Sequence, residues 1–428
     1  MTGPAPRARN QPKLPAGWRW VSLGDLSSGP EAFADGPFGS NLKTEHYVSA
    51  GARVVRLQNI GRGVFLDADK SFISLDHFAS LRRHSVRPGD VVVAALGDGA
   101  RPAGRACVIP DGFGPGLVKA DCFRLRLPAD SILAPYLAGY LNSPVALSRV
   151  ADTMRGATRP RMNLAMLRAV ELPLAPLAQQ REIVGRLGEQ MAAVERTRAA
   201  AEAQLETARA LEPARLRNAF DGPQTRHWPR KPLGEVGEIV SGITLGRQLR
   251  DVRTRRVPYL RVANVKDGYL DLSEVYEIDA TGAELERLRL HPGDLLLTEG
   301  GDPDKLGRGT FWKGQLPECI HQNHIFRVRF DPREFLPEFV SAQVGSPYGK
   351  SYFLAHAKRT TGIATINQKV LAAFPLMAPR LGDQRRIASM LDERMVEAER
   401  LRKAAEEQLA AINALPAALL RRAFSGAL

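Results

Sequence analysis

Cysteine is scarce in this chain of 428 residues: Cys107, Cys122 and Cys319 are scattered and odd in number. That argues against a disulfide framework and suits buried thiols in a reducing cytoplasm. Long apolar runs are also missing, since none approaches the roughly 18 residues that a membrane span requires. The stretch 1–17 is rich in proline and basic residues but has no hydrophobic segment, so it does not read as a secretory signal; a disordered arm is expected there. Acidic residues are in deficit. Against 60 Lys and Arg stand 46 Asp and Glu, leaving a formal net charge of +14. Such a balance points to a polyanion or an anionic surface as partner.

The motifs of catalysis are missing as well. There is no nucleophile elbow, no H-E-x-x-H and no N/D-P-P-aromatic signature; Asp331-Pro332-Arg333-Glu334 does not qualify. The stretch from Gly97 to Gly104 superficially suggests a nucleotide loop, but Pro102 intervenes, the third glycine comes late, and a strand rather than a helix is expected after it. Gly300-Gly301-Asp302-Pro303-Asp304-Lys305-Leu306-Gly307 lacks the ending of a phosphate-binding P-loop. Cys319, His321 and His324 cluster sulfur and imidazole, yet structural zinc needs four ligands and no second pair stands at suitable spacing. A polar loop including Gln322 and Asn323, able to hydrogen-bond base edges, is the preferred reading. The chain is expected to bind no cofactor or metal and to catalyse nothing by itself.

What is present is a duplication. Val86-Arg87-Pro88-Gly89-Asp90-Val91-Val92-Val93 returns about 204 residues later as Leu290-His291-Pro292-Gly293-Asp294-Leu295-Leu296-Leu297. Gln180-Arg181-Glu182-Ile183 returns as Gln384-Arg385-Arg386-Ile387. A period this long is that of a duplicated domain, because solenoid units run to roughly 20–50 residues. Each copy opens on a tryptophan-containing stretch, at 18–25 and 228–235. Short runs rich in Val, Ile, Leu and aromatics follow between Gly and Pro, as strands do. Pro88-Gly89 and Pro292-Gly293 fit the centre of a type II turn. Helices are expected over 135–147 and 337–352, each with an early proline. Arg124, Arg126, Arg327 and Arg329 alternate along strands and are read as the solvent face of a sheet.

Prolines at 173, 176, 375 and 379 mark the exit into a long helix in each copy. Its heptads run Val184, Leu187, Met191, Val194, Arg198, Ala201, Leu205, Ala208, and then Ala388, Leu391, Met395, Ala398, Arg402, Ala405, Leu409, Ile412. A sustained 3.5-residue period is that of a coiled coil. Arg198 and Arg402 interrupt the seam at matching places, either snorkelling out of it or fixing register through Glu195, Glu202, Glu399 or Glu406. Pro213 and Pro416 are expected to end these helices after roughly 30–35 residues, about 50 Å. The helical segments are nearly neutral, so the surplus charge lies in the two globular parts. Packed antiparallel, such helices would act as a ruler between two basic domains.

On these residues the chain resembles the specificity subunit of type I restriction-modification systems. The most specific pieces are Asp35-Gly36-Pro37-Phe38-Gly39-Ser40-Asn41, Arg56-Leu57-Gln58-Asn59-Ile60, and the domain-to-helix junctions running from Asn163 to Gln180 and from Asn367 to Gln384. The family usually writes that junction with adjacent prolines and Glu-Gln; here Ala175 or Arg380 replaces one proline, and Gln179 or Asp383 stands for Glu. The resemblance implies α/β (α+β) target-recognition domains in two tandem pseudo-symmetric copies, joined by long antiparallel coiled-coil helices. The expected boundaries are an arm at 1–17, recognition domains at 18–176 and 223–379, and helical spacers at 177–222 and 380–428. It further implies double-stranded DNA read as a split sequence. Two modification subunits would dock on the helical regions and bring S-adenosylmethionine-dependent adenine methylation, and motor-nuclease subunits would join them. Two rival readings stay open: a bivalent DNA-binding regulator without a modification partner, and the specificity subunit of a fused methyltransferase-nuclease system.

Phosphate contacts need cations and base edges need short polar side chains, both presented on loops. In the first copy the candidates are Ser40, Asn41, Lys43, Gln58, Asn59, Arg101, Arg105, Lys119, Arg155, Thr158 and Arg159. In the second they are Thr244, Arg247, Asn264, Arg308, His321, Gln322, Asn323, Lys358, Arg359 and Thr361.

Overall fold

The turn Pro88-Gly89 feeds the strand Val91–Ala94 with Gly89 at φ +85°, a conformation that glycine adopts without steric cost. The structure, a computed structural model, describes residues 13–27, 29–97, 101–154, 161–248, 252–301, 306–360 and 363–426. The chain divides into two units, Met1–Ala201 with Gln408–Leu428, and Glu202–Glu407.

In the first unit, Val91–Ala94 sits inside a four-stranded antiparallel sheet ordered Phe33–Asp35, Cys122–Leu125, Val91–Ala94, Ala106–Val108. Side chains alternate across it. Val91, Val93, Phe123 and Leu125 pack against Leu137 and Leu141 of a helix on one face. Val92, Ala94, Cys107 and Cys122 pack on the other face against Val55 and Val118 of a second, five-stranded sheet. In that sheet Ala52–Val55 runs parallel to Gly116–Val118.

The second unit repeats the frame. Gly237–Ser241, Ile325–Phe330, Leu295–Thr298 and Gly309–Phe311 form the same four-strand order, and Thr254–Leu260 runs parallel to Ile320–His321. Gly293 again takes a left-handed φ, +97°.

Double coverage of the sheet corrects the expectation for the strand arginines. Arg124 and Arg327 are each only 2% exposed. Alternation tells which residues share a face, not whether a second sheet covers it. Arg124 donates to the carbonyls of Glu31 and Arg83, and Arg327 pairs with Glu238 at 3.0 Å. Arg126 and Arg329 pair with the buried carboxylates of Asp90 (2.8 Å) and Asp294 (2.7 Å). Those carboxylates also accept the amides of Arg87 (2.9 Å) and His291 (2.7 Å), so the repeated Pro-Gly-Asp carries a turn and its counter-ion together.

Each expected helix proves to be two. Ala134–Leu141 is followed by Pro144–Thr153, and Pro337–Gly345 by Pro347–His356. Proline cannot continue the first helix and pushes the residue before it to extended backbone. Ser143 and Ser346, so placed, cap the next helix by accepting the amides of Ala146 (3.2 Å) and Gly349 (3.4 Å).

The opening strand of each globular part closes on its exit: Arg19–Ser22 pairs with Glu171–Leu174, and Arg230–Pro232 with Pro375–Met377. The long helices begin just beyond, α1 over Leu177–Phe220 and α2 over Leu381–Ala423. Their first turns are tied down identically. Gln180 accepts the Leu133 amide (2.9 Å) and donates to the carbonyls of Ser131 (3.2 Å) and Ala175 (2.8 Å). Gln384 does the same with Leu336 (2.9 Å), Glu334 (2.9 Å) and Pro379 (3.0 Å).

Neither Pro213 nor Pro416 ends its helix, contrary to expectation. The turns beyond them are held by packing that outweighs one lost hydrogen bond: Leu216, Ala219 and Phe220 enter the core of the second unit, and Leu420, Ala423 and Phe424 that of the first. Within the first unit, Ile183 and Leu187 of α1 share that core with the end of α2, and Val194 and Ala201 meet Ile412 further along. Within the second, Ile387 and Leu391 of α2 meet Leu216 and Phe220 of α1, and Arg215 pairs with Glu397 at 3.1 Å. In both cases early residues of one helix face late residues of the other, an antiparallel pairing. Arg198 pairs with Glu195 (2.5 Å), and Arg402 with Glu399 and Glu406 (2.7 Å each), all along their own helices.

Candidate nucleic-acid interface

One loop in each unit is built on a close approach that only glycine permits. A methyl group on Gly36 would overlap the carbonyl of Lys119, and one on Gly242 would overlap that of His321. Lys119 and Gln322 follow the parallel strands and donate their amides to Val55 (2.8 Å) and Leu260 (2.9 Å). The loops starting at Gly36 and Gly242 are therefore seated on the same strand ends in both units.

In the first unit this seats the segment that carries Ser40 and Asn41 against the backbone of Lys119 at Gly36. Ser40 and Asn41 are exposed, and the Asn41 carbonyl is hydrogen-bonded to His77 Nε2 at 2.9 Å. They border a cleft of about 580 Å³ that also takes in His46, Arg83 and His84. Burial pushes His84 below the usual imidazole range, against the pull of its bond to the Asp35 carbonyl. Lys43 is exposed on the next turn, 3.5 Å from Glu45. Arg161, which the sequence reading passed over, donates to the Ala120 carbonyl (3.1 Å), pairs with Asp121 (3.0 Å) and lies over the Phe38 ring at 5.2 Å. Its one signal in sequence is its place beside Arg159 and Pro160.

In the second unit Thr244, Arg247, Gln322 and Asn323 come together. Asn323 donates its amide to the Ile243 carbonyl (2.9 Å). Arg247 donates to the Thr244 carbonyl (3.2 Å) and pairs with Glu284 (2.7 Å). The Arg247 and Thr281 bonds hold the Glu284 carboxyl below its ordinary range, although burial works in the opposite direction. Lys358 and Arg359 are exposed on the strand Lys358–Thr360, which pairs with Ile363–Thr365 and through it with Gly300–Gly301. Arg359 donates to the Leu354 carbonyl at 3.1 Å.

Four candidates are placed elsewhere, and for a common reason. Asn59 and Asn264 are buried, and each spends its amide on its own loop. Asn59 accepts from the Arg56 amide (2.9 Å) and donates to Leu66 (2.9 Å) and Asp69 (2.8 Å); Asn264 accepts from Arg261 (2.8 Å) and donates to Asp271 (2.8 Å) and Glu274 (2.9 Å). Arg105 is buried and donates to the carbonyls of Leu57, Ile60, Leu96 and Pro102. His321 is buried with Nδ1 hydrogen-bonded to the Ile325 carbonyl (2.9 Å), and burial pushes its pKa down to about 4. In the structure these side chains are engaged within the fold: buried carbonyls demand donors as insistently as base edges do.

Gln58 is half-buried, and its bond helps keep the Asp69 carboxyl below its usual range, with Arg56 adding to the effect. Arg101 and Arg308 are half-buried. Arg155, Thr158, Arg159 and Thr361 lie outside the described residues. Among the described residues no cluster of His, Cys, Asp or Glu is arranged to hold a metal, and no helix is long and apolar enough to cross a membrane. Burial raises the thiols of Cys107 and Cys319 to about 12, so both are inert core side chains.

The chain is a duplicated α/β unit that shows different side chains on one repeated loop frame, with a long helix following each copy. No protein-family model matches the chain. Over 389 residues it is 24% identical to the type I restriction enzyme EcoKI specificity subunit of Escherichia coli strain K12, covering 88% of this chain and 82% of that one. Over 434 residues it is 22% identical to the StySPI specificity subunit of Salmonella potsdam, covering 98% and 91%. Its fold matches that of a chain solved in work on complex assembly and conformational transition of the type I R-M system, with TM-score 0.71, 19% identity and coverage of 98% and 100%. It also matches the HsdS subunit from Thermoanaerobacter tengcongensis, with TM-score 0.58, 19% identity and coverage of 97% and 98%. The chain is thus similar, over most of its length, to specificity subunits of type I restriction enzymes.

Proposed function

We propose that the chain reads a bipartite duplex-DNA sequence, one half-site per unit, with the helical segments setting the gap and carrying two modification subunits. S-adenosylmethionine belongs to those partners, and motor-nuclease subunits complete the cutting assembly. The observation that carries this reading is one loop frame with two sets of tips. Gly36 and Gly242 seat their loops alike, while Ser40, Asn41 and Lys119 in one unit give way to Thr244, Arg247, Gln322 and Asn323 in the other. Identical scaffolds with different donors and acceptors suit two different base sequences.

Lys43 is an exposed cation just beyond the first of these loops, Lys358 and Arg359 are exposed on the strand Lys358–Thr360, and the chain's net charge is +14. Binding of target duplex by the chain with its modification subunits should therefore weaken steeply with salt. Neutralising six phosphates gives a log-log slope of about −5. A slope near zero removes the electrostatic basis of the proposal.

A further inference from the structure

Each unit ends its Gly-seated loop on an apolar side chain for which its own core has no place. Phe38 is 48% exposed and Leu245 46%. Each stands directly before a glycine in the left-handed region, Gly39 at φ +60° and Gly246 at φ +73°. A side chain on either glycine would meet nothing within 4 Å, so both turns point their apex into open space. The two loops differ in length and sequence but arrive at the same arrangement.

Both apices are braced from outside. The Asn41 amide donates to the Phe38 carbonyl (3.3 Å), His77 holds the Asn41 carbonyl, and Arg161 lies over the Phe38 ring while fixed to Ala120 and Asp121. In the second unit Arg247, anchored on Glu284, bonds to the Thr244 carbonyl and so ties together the residues on either side of Leu245. An apolar side chain held stiffly in water at the tip of a cation-bearing loop suits insertion rather than folding. Phe and Leu are among the side chains that proteins wedge between base steps, while neighbouring cations hold the phosphates.

We propose that Phe38 and Leu245 are apolar wedges, one in each unit, that press into a base step of the half-site read by that unit and unstack it. This rests on the DNA-recognition reading above and adds a form of specificity that hydrogen-bonding residues do not supply. Unstacking is easiest at pyrimidine–purine steps, so each half-site would carry such a step at the wedge even where no base edge is contacted there.

The test uses the full chain assembled with its modification subunits and duplexes carrying its methylated motif, with 2-aminopurine placed in turn at each step. The wild-type complex should brighten the probe at one step in each half-site. Phe38→Ala should abolish the signal in one half only, and Leu245→Ala in the other only. Each should weaken specific binding about tenfold and leave the salt slope unchanged. Phe38→Trp should restore the first signal, which separates a wedge from a merely structural side chain. Unchanged probe signals and affinity in both alanine variants, with salt-dependent binding intact, overturn the wedge and spare the DNA reading. Loss of the modification subunits from the alanine variants, with probe signals preserved, makes the tips protein-docking sites and also overturns it. Absence of salt-dependent duplex binding by the wild-type complex sinks the underlying reading, and the wedge with it.

Discussion

The ring of Phe424, just beyond α2, meets the ring of Tyr136 edge-on at 5.1 Å and that of Tyr140 at 5.3 Å. Both tyrosines are buried in the first unit and donate to the carbonyls of Pro173 (2.5 Å) and Glu171 (2.7 Å) beside the start of α1. The residues at the end of α2 thus complete the core of the first unit. Phe424→Ala should lower the stability of the first unit by about 3 kcal/mol. Hydrogen exchange in Ala134–Leu141 should speed up accordingly while that in Pro337–Gly345 stays unchanged. Equal loss of protection in both segments would contradict the assignment.

Gln384→Ala leaves the Leu336 amide and the Glu334 and Pro379 carbonyls without their partner. Stranding buried polar groups costs about 1–3 kcal/mol. The second unit should lose that much in denaturant unfolding, and Gln180→Ala should cost the first unit a similar amount. A loss below about 0.5 kcal/mol in both variants would mean that the tether is dispensable.

His321 occupies the position that Val118 fills in the first unit, opposite Leu260 as Val118 is opposite Val55. Burial holds its imidazole neutral, with a pKa of about 4 against 6.5 for a free histidine. Between these values the unfolded chain binds the proton and the folded chain does not, so stability falls as pH drops from 6.5 towards 4. The loss should amount to about 3 kcal/mol at most. His321→Val should flatten the pH dependence of the second unit across this window, as followed by thermal unfolding. An unaltered profile would show that other groups set it.

Arg359 is exposed on the hairpin that pairs with Gly300–Gly301. Arg359→Ala should weaken recognition of one half-site about tenfold and leave base preferences in the other half unchanged. Competition binding with duplexes randomised in each half would report this directly. Relaxed preference in both halves would contradict two separate readers.

Much of the architecture was legible because it rests on patterns that chemistry enforces locally. Pro88-Gly89 and Pro292-Gly293 make the turns expected of them, and the heptads lie on long helices. What escaped depends on contacts far apart in sequence. Nothing local says that a second sheet covers Arg124 and Arg327, or that packing of Phe220 and Phe424 carries the helices past Pro213 and Pro416. The loop residues were the hardest to read. Asn59 and Asn264 have the donors and acceptors of base readers, and only the three-dimensional structure shows these consumed by the loop backbone. Phe38 and Leu245 were overlooked because apolar side chains ordinarily signal core.

The central claim is that two units read two separate half-sites. It is tested most directly by co-expressing the chain with its modification subunits in a host free of other adenine methylation and mapping methylated adenines by sequencing. Two short fixed elements separated by unspecified bases should appear, and exchange of the segment 223–379 for that of a relative should alter one element alone. A single uninterrupted motif, or an exchange that rewrites both elements together, would contradict the account.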